Sequence, residues 1–226
     1  MAILYVIGTP IGNLGDMSYR AVETLKTLDL LACEDTRRTL KLLSHFGIRL
    51  PLLSCRAQNE VIAAEKIIAA LAEGKTLGYV SDAGTPALSD PGAALVQRVV
   101  QAGYEVIPLP GPSAFASLVS VSGGRDKSVF FEGFLSPKAG RRRSRLKELL
   151  ARDSAFVLYE SPFRILKLLA DLTEFDKDRY VCVGREMTKL HEEYIRGSVG
   201  DVLSILTNHH EQRGEFSVFV SGNKAY

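Results

Sequence analysis

The chain has few of the residues that build metal centres or covalent frameworks. Its three cysteines, Cys33, Cys55 and Cys182, are isolated and odd in number. No CxxC pair occurs, so neither a disulfide framework nor a zinc site is indicated. Cys33 and Cys182 lie in apolar runs and are expected to act as small core residues. Of four histidines, only His209 and His210 are neighbours, and adjacent positions on a helix point in different directions, so no metal is expected. No apolar run approaches the ~20 residues of a membrane helix. Met1-Ala2-Ile3-Leu4 leads straight into a strand, without a basic n-region or cleavage site, and the expectation is a cytoplasmic protein with no membrane partner. Charge of one sign is also lacking: 28 Lys and Arg face 26 Asp and Glu in 226 residues. Global charge therefore does not announce nucleic-acid binding. Internal repeats and low-complexity tracts are absent.

What is present is strand–helix alternation with clear punctuation. Strands are expected at Ile3–Ile7, Leu28–Cys33, Pro51–Ser54, Thr76–Val80 and Glu105–Leu109. Between them lie helices from about Tyr19 with Ser18 as N-cap, over Thr36–Phe46 stopped by Gly47, over Glu60–Glu73 stopped by Gly74, and from Pro91 to Gly103 with Asp90 as N-cap. This pattern implies a largely parallel sheet covered on both faces, spanning residues 1–112. A helix from Ser113 and a linker over 122–126 open a second α/β unit, residues 113–226. Its strands are expected at Val129–Phe134, Ala155–Tyr159, Tyr180–Val183, Glu193–Arg196 and Phe216–Ser221, with helices over Gly140–Arg152, Pro162–Leu172 and Val199–Asn208. The close spacing of the late strands suggests a mixed sheet.

Three turns rich in Gly and Pro follow strands of the first unit: Gly8-Thr9-Pro10-Ile11-Gly12-Asn13-Leu14-Gly15, Ser81-Asp82-Ala83-Gly84-Thr85-Pro86 and Pro110-Gly111-Pro112-Ser113-Ala114. Ligands of open parallel sheets bind beyond the carboxyl ends of the strands, which is where these turns sit. The first turn does not match G-x-G-x-x-G, and no Gly-Lys-Ser/Thr follows it. Pro10 removes an N–H that a phosphate cradle would use, so a neutral or cationic ligand fits better; an ordinary strand-to-helix loop is an equal reading of the residues alone. Asp82 suits an amino group or a positive charge, or else is a capping aspartate. Ser113 is equally well a plain N-cap. In the second unit, Tyr159-Glu160-Ser161-Pro162 repeats the order of apolar strand, polar tip and proline. Arg185-Glu186-Met187-Thr188-Lys189 and Gly214-Glu215 are charged or glycine-containing segments beside strands.

Together these segments, with Asp35-Thr36-Arg37 and Glu132-Gly133-Phe134, resemble the tetrapyrrole-methylase-like superfamily of S-adenosylmethionine-dependent methyltransferases, and within it the ribosomal-RNA-modifying branch. Each short motif is weak by itself, but eight of them in order span nearly the whole chain. The resemblance implies two α/β units with the cofactor, S-adenosyl-L-methionine, in the cleft between them. It assigns Pro10, Asp82, Gly84, Thr85, Ser113 and Ala114 to cofactor binding, and likewise Tyr159, Glu160, Pro162, Gly214 and Glu215. It implies methyl transfer to the 2′-hydroxyl of a cytidine in small-subunit ribosomal RNA near the decoding site, with the 30S subunit as partner, and a homodimer. A general base would remove the hydroxyl proton. Glu160, Glu186 and Lys189 are candidates of equal standing, Lys189 only if desolvation lowers its pKa.

Local charge agrees with an RNA substrate. Arg141, Arg142, Arg143 and Arg145 open a helix, where positive side chains oppose the dipole; phosphate contacts would explain them, and a solvated basic face is the alternative. Arg37 and Arg38, with Lys41, form a smaller group. Two departures from the family pattern stand out. The segment Ser54–Glu60 lacks the histidines that many relatives carry before Asn59-Glu60. Some relatives also continue into a small basic C-terminal extension; if that extension helps grip RNA, this protein manages without it or the chain is truncated. The competing readings are a tetrapyrrole methyltransferase, against which the basic segments argue, and a non-catalytic RNA-binding assembly factor, against which the intact Gly8, Asp82 and Pro110 turns argue.

Overall fold

The computed structural model of the chain describes residues 2–208 and 212–223; the His209-His210 pair lies outside them. The chain divides into two compact units, Met1–Ser113 and Ala114–Tyr226. No helix among the described residues is long and apolar enough to cross a membrane.

In the first unit, strands β1 (Ile3–Ile7), β2 (Leu30–Cys33), β3 (Leu52–Ser54), β4 (Leu77–Val80) and β5 (Glu105–Leu109) alternate with helices α1 (Tyr19–Leu25), α2 (Thr36–His45), α3 (Glu60–Ala72) and α4 (Ala93–Gln101). The sheet order is β3-β2-β4-β1-β5, and each pairing is parallel. Period-two alternation sorts the side chains. Leu4, Ala32, Leu77 and Tyr79 pack with Ile67 and Leu71 of α3 and Leu95 and Val99 of α4. Ile7, Leu31, Cys33 and Val80 pack on the other face with Ala21 and Leu25 of α1 and Leu43 of α2. Two helices therefore cover each face, as burial of a parallel sheet demands.

Strand order also fixes where the connections part. From β2 the chain moves outward to β3; from its neighbour β4 it moves the opposite way, past β1 to β5. Beyond the carboxyl ends of β2 and β4 the connections diverge, and this is the switch point where open α/β sheets leave a crevice.

The start of α4 differs from expectation. The helix begins at Ala93 with Gly92 as N-cap at φ +131°, not at Pro91 with Asp90 as cap. The cap comes instead from α3: Glu60 Oε1 accepts hydrogen bonds from the Gly92 and Leu95 N–H groups, at 3.0 and 2.8 Å. A residue 32 positions earlier thus satisfies the first turn, and Asp90, half-buried, is not its cap.

The second unit contains helix α5 (Ala114–Val121), then β6 (Val129–Phe134), α6 (Ala139–Leu150), β7 (Ala155–Glu160), α7 (Ile165–Asp176), β8 (Tyr180–Arg185), β9 (Glu193–Ser198), α8 (Val199–Asn208) and β10 (Phe216–Val220). Its sheet, in the order β6-β7-β10-β8-β9, is mixed: β6–β7 is parallel and the other pairs are antiparallel. Helices α6, α7 and α8 bury one face; α5 packs on the other through Leu118. Strands β7 and β8 run further than their apolar stretches suggest, because Phe216 of β10 pairs with both Glu160 and Arg185. Helix α7 starts at Ile165, not Pro162; the Ser161 carbonyl accepts from the Arg164 and Ile165 N–H groups, closing a turn first.

Replacing Glu60 with Ala is expected to lower unfolding stability by about 1–2 kcal/mol, the usual worth of a lost N-cap, with Glu60→Gln recovering part of it. Denaturant melts of the three proteins measure this; equal midpoints would show that the cap contributes nothing.

Candidate active site

At the carboxyl end of the first sheet, the three expected turns meet. The Gly8 N–H donates to the Leu109 carbonyl at 3.0 Å. The Thr9 N–H donates to the Gly84 carbonyl at 2.9 Å, and the Gly84 N–H donates back to the Thr9 carbonyl at 3.0 Å. The backbones of Gly8 and Gly111 are in contact: a Cβ on Gly8 would lie 2.8 Å from Gly111 Cα, and one on Gly111 would lie 2.7 Å from the Gly8 carbonyl oxygen. Only glycine fits at either position. Thr85 Oγ1 reaches the Pro112 carbonyl at 3.4 Å. The loops after β1, β4 and β5 are thereby one backbone-bonded group. Within it, Thr9 is buried and its hydroxyl has no hydrogen-bond partner within the protein, which leaves it open to a polar group.

Asp82 leads from β4 into the crevice beside β2. Its Oδ1 accepts from the Asp35 N–H at 3.0 Å, and its Oδ2 lies 3.3 Å from Arg38. Asp35 caps α2 and grips the Arg37 guanidinium through both oxygens; those bonds hold its carboxyl well below the usual carboxylate range. Asp35 thus orients Arg37. Asp90, freed from capping, behaves in the opposite way. Burial, and then the Glu34 carboxylate, push its carboxyl up to about 6, against a hydrogen bond with Ser81.

In the second unit, Glu160, the 185–189 segment and Gly214-Glu215 share one end of the sheet. Glu160 is buried. Its Oε1 accepts from the Ser161 N–H and pairs with Arg164, each at 2.7 Å, while its Oε2 has no partner. Glu186, at φ +48°, makes a two-way tie to the neighbouring loop. Its N–H donates to the Glu215 carbonyl at 3.0 Å, and its Oε1 accepts from the Glu215 N–H at 2.9 Å. Lys189 Nζ sits 2.8 Å from Glu186 and 3.0 Å from Glu215. Burial works against both charges, yet the pairing outweighs it: Glu186 is held below the ordinary carboxyl range and Lys189 above the ordinary ammonium range. The condition attached to Lys189 as a base, a lowered pKa, is not met, because its two carboxylate partners overcome desolvation.

Tyr159 is set by a bulge. The β6–β7 register shifts between Phe131 and Gly133, with Gly133 at φ +74°. Phe131 and Phe134 both pack on the Tyr159 ring, at 5.0 and 5.7 Å between centroids. The Tyr159 hydroxyl accepts from the Phe115 N–H at 2.9 Å, in the first turn of α5 beside Ala114.

The arginines opening α6 are mostly turned to internal partners. Arg142 is buried against Asp171 at 2.7 Å; Arg143 pairs with Asp171 and Glu174; Arg145 pairs with Glu132 and Glu148. Arg141 alone of the four is exposed without an ion pair among the described residues. The acids sit on α7, on β6 and one turn along α6, so the sequence around residues 141–145 gave no sign of them beyond Glu148. No group of three or more His, Cys, Asp or Glu among the described residues is arranged to hold a metal ion.

The family of Tetrapyrrole (Corrin/Porphyrin) Methylases matches residues 3–203. The chain belongs to this family of methyltransferases, which use S-adenosyl-L-methionine as methyl donor. Curated relatives include the proteins named ribosomal RNA small subunit methyltransferase I of Borrelia garinii subsp. bavariensis, 46% identical over 97% of this chain and 98% of the relative, and of Thermotoga maritima, 45% identical over 99% and 100%. The Bacillus subtilis protein of that name is 41% identical over 99% of this chain and 76% of its own length. Among solved structures, the uroporphyrin-III-C-methyltransferase from Thermus thermophilus matches with a TM-score of 0.68 at 16% identity, over 98% of this chain and 94% of that one, a likeness of fold.

Asp90 gives this site a pH signature. A carboxyl whose folded pKa is raised contributes stability that is fully present below its unfolded value, near 4, and lost as pH rises through about 6. Asp90→Asn is therefore expected to gain melting temperature relative to the parent as pH rises from 4 to 7, and thermal melts across that range test it. A difference independent of pH would contradict the assignment.

Proposed function

We propose that this chain transfers the methyl group of S-adenosyl-L-methionine to the ribose 2′-hydroxyl of a cytidine in small-subunit ribosomal RNA near the decoding site, acting as a homodimer in the cytoplasm on the 30S subunit. The observation that carries this reading is the identity of 41–46% over nearly the whole chain with proteins named for that ribosomal RNA.

The residues fit the cofactor. A zwitterionic amino acid bearing a sulfonium needs an anionic side chain, polar groups lacking internal partners and close backbone approach. Asp82, the Thr9 hydroxyl, Glu160 Oε2 and the Gly8–Gly111 contact supply them. In the first unit, Pro10, Asp82, Gly84, Thr85 and Ser113 are assigned to hold it. In the second, the assignment falls on Ala114, Tyr159, Glu160, Pro162, Gly214 and Glu215. When bound, the cofactor supplies an electrophilic methyl group. The protein's part is to place the ribose hydroxyl in line with it and to take up the hydroxyl proton.

The three base candidates now have different standing. Lys189 stays protonated and suits an anionic partner. Glu186 is occupied in tying its loop to Glu215. Glu160 retains an oxygen with no partner and is our choice of proton acceptor, oriented by Arg164.

Transfer of labelled methyl to 30S subunits and to free ribosomal RNA, both from cells lacking this protein, tests the reading. Label is expected at one ribose 2′-oxygen, in the assembled subunit. Cofactor binding without incorporation into either would favour a tetrapyrrole substrate, and no cofactor binding a non-catalytic factor. Glu160→Gln is expected to lower turnover at saturating cofactor by roughly 10²–10⁴-fold, with cofactor affinity measured separately because Glu160 is also assigned to cofactor binding. Near-normal turnover in Glu160→Gln, Glu186→Gln and Lys189→Met alike would remove the general base from the mechanism.

A further inference from the structure

The divergence of the connections after β2 and β4 leaves a recess of about 180 Å³, floored in part by Pro10, Leu14 and Leu42 and rimmed by Arg38 and Lys41. Cavities that enclose a whole small ligand run from about 300 to 1,000 Å³, so this one suits a single ring or a sugar-phosphate group of a longer molecule. Its charge is specific. Arg37 is taken up by Asp35, and Arg38 is shared with Asp82. Lys41 is exposed and makes no ion pair among the described residues. Among the residues lining the recess, Asp82 is the one acid and is matched by Arg38, which leaves Lys41 as the surplus cation. Arg38, Lys41 and Leu42 lie at i, i+3 and i+4 on α2 and so share one helix face. Apolar floor and cationic rim are presented together.

We propose that this recess seats a nucleotide of the RNA strand next to the methylated one, with its phosphate on Lys41 and Arg38 and its base or ribose against Leu14 and Leu42. This rests on the RNA-methyltransferase reading and goes beyond it by naming a substrate subsite within the first unit, with Lys41 as its principal phosphate contact and Leu42 as its apolar wall.

The test measures binding of small-subunit ribosomal RNA across a salt series, and S-adenosylmethionine affinity separately, for the parent, Lys41→Ala, Lys41→Arg and Leu42→Ala, with Lys66→Ala on the exposed face of α3 as control. One phosphate contact to a single strand contributes about 0.7 to the salt slope, or roughly fivefold in affinity near 0.1 M salt. Lys41→Ala is expected to lose that much in both, Lys41→Arg to keep most of it, and Leu42→Ala to lose affinity with the slope unchanged. Cofactor affinity should stay as in the parent. If Lys41→Ala and Leu42→Ala match the control while the parent methylates the RNA, the subsite is wrong and the functional reading stands. Loss of cofactor affinity in place of RNA affinity would give the recess to the cofactor's carboxylate and overturn the proposal. A parent that neither binds nor methylates RNA would overturn both.

Discussion

The contact between Gly8 and Gly111 is the constraint on which the first unit's candidate site depends. Two strand-end turns cross with backbone against backbone, and the Thr9–Gly84 bridge brings a third turn into the same group. A side chain at either glycine would have to displace main chain, which cannot yield as the end of a flexible side chain can. Three loops that would otherwise move separately are held as one rigid rim above the sheet. Preorganised backbone is what a methyl transfer requires, since its rate depends on alignment more than on acid–base power.

Within each unit, opposite charges are matched pair by pair. Asp35 takes Arg37, Asp82 takes Arg38, Glu160 takes Arg164, and Glu186 and Glu215 take Lys189. The pairing is directional as well as neutralising, because several of the carboxylates also accept backbone N–H groups and so fix the loops that carry them. Glu186 is the clearest case: held at positive φ, it is kept there by reciprocal bonds to Glu215 on another loop. Strained residues of this kind persist only where neighbouring bonds over-determine them.

Much of the architecture was legible in the sequence because its signals are local. Apolar runs ended by Gly and Pro marked β1 and β5 to the residue, and the glycines after α2, α3 and α4 marked where each helix stops. The failures share a cause. Asp90-Pro91 is a good start signal by composition, but a carboxylate from α3 outcompeted it for the N–H groups of α4. The strands β7 and β8 outrun their apolar stretches because β10 offers them hydrogen-bond partners. The basic run at residues 141–145 suggested phosphate, while Asp171, Glu174 and Glu132 lay 13 to 31 residues from the arginines they pair with in sequence, at distances no local pattern covers. The candidate loops of each unit were visible as motifs. The roles within them, Thr9 with its unpartnered hydroxyl and Glu186 as a tie, were not, since a hydrogen-bond inventory exists only once the chain is folded.

The bulge at Gly133 has a consequence of parity. In a regular strand, residues 131 and 134 would face opposite sides of the sheet, since three is odd. One extra residue makes the step even, and both phenylalanines come to the same side, flanking the Tyr159 ring whose hydroxyl meets the first turn of α5. An aromatic clamp of three rings is therefore created by an insertion of one backbone unit. In a homologue lacking that unit, the same two phenylalanines could not both reach the tyrosine, however well their identities were preserved.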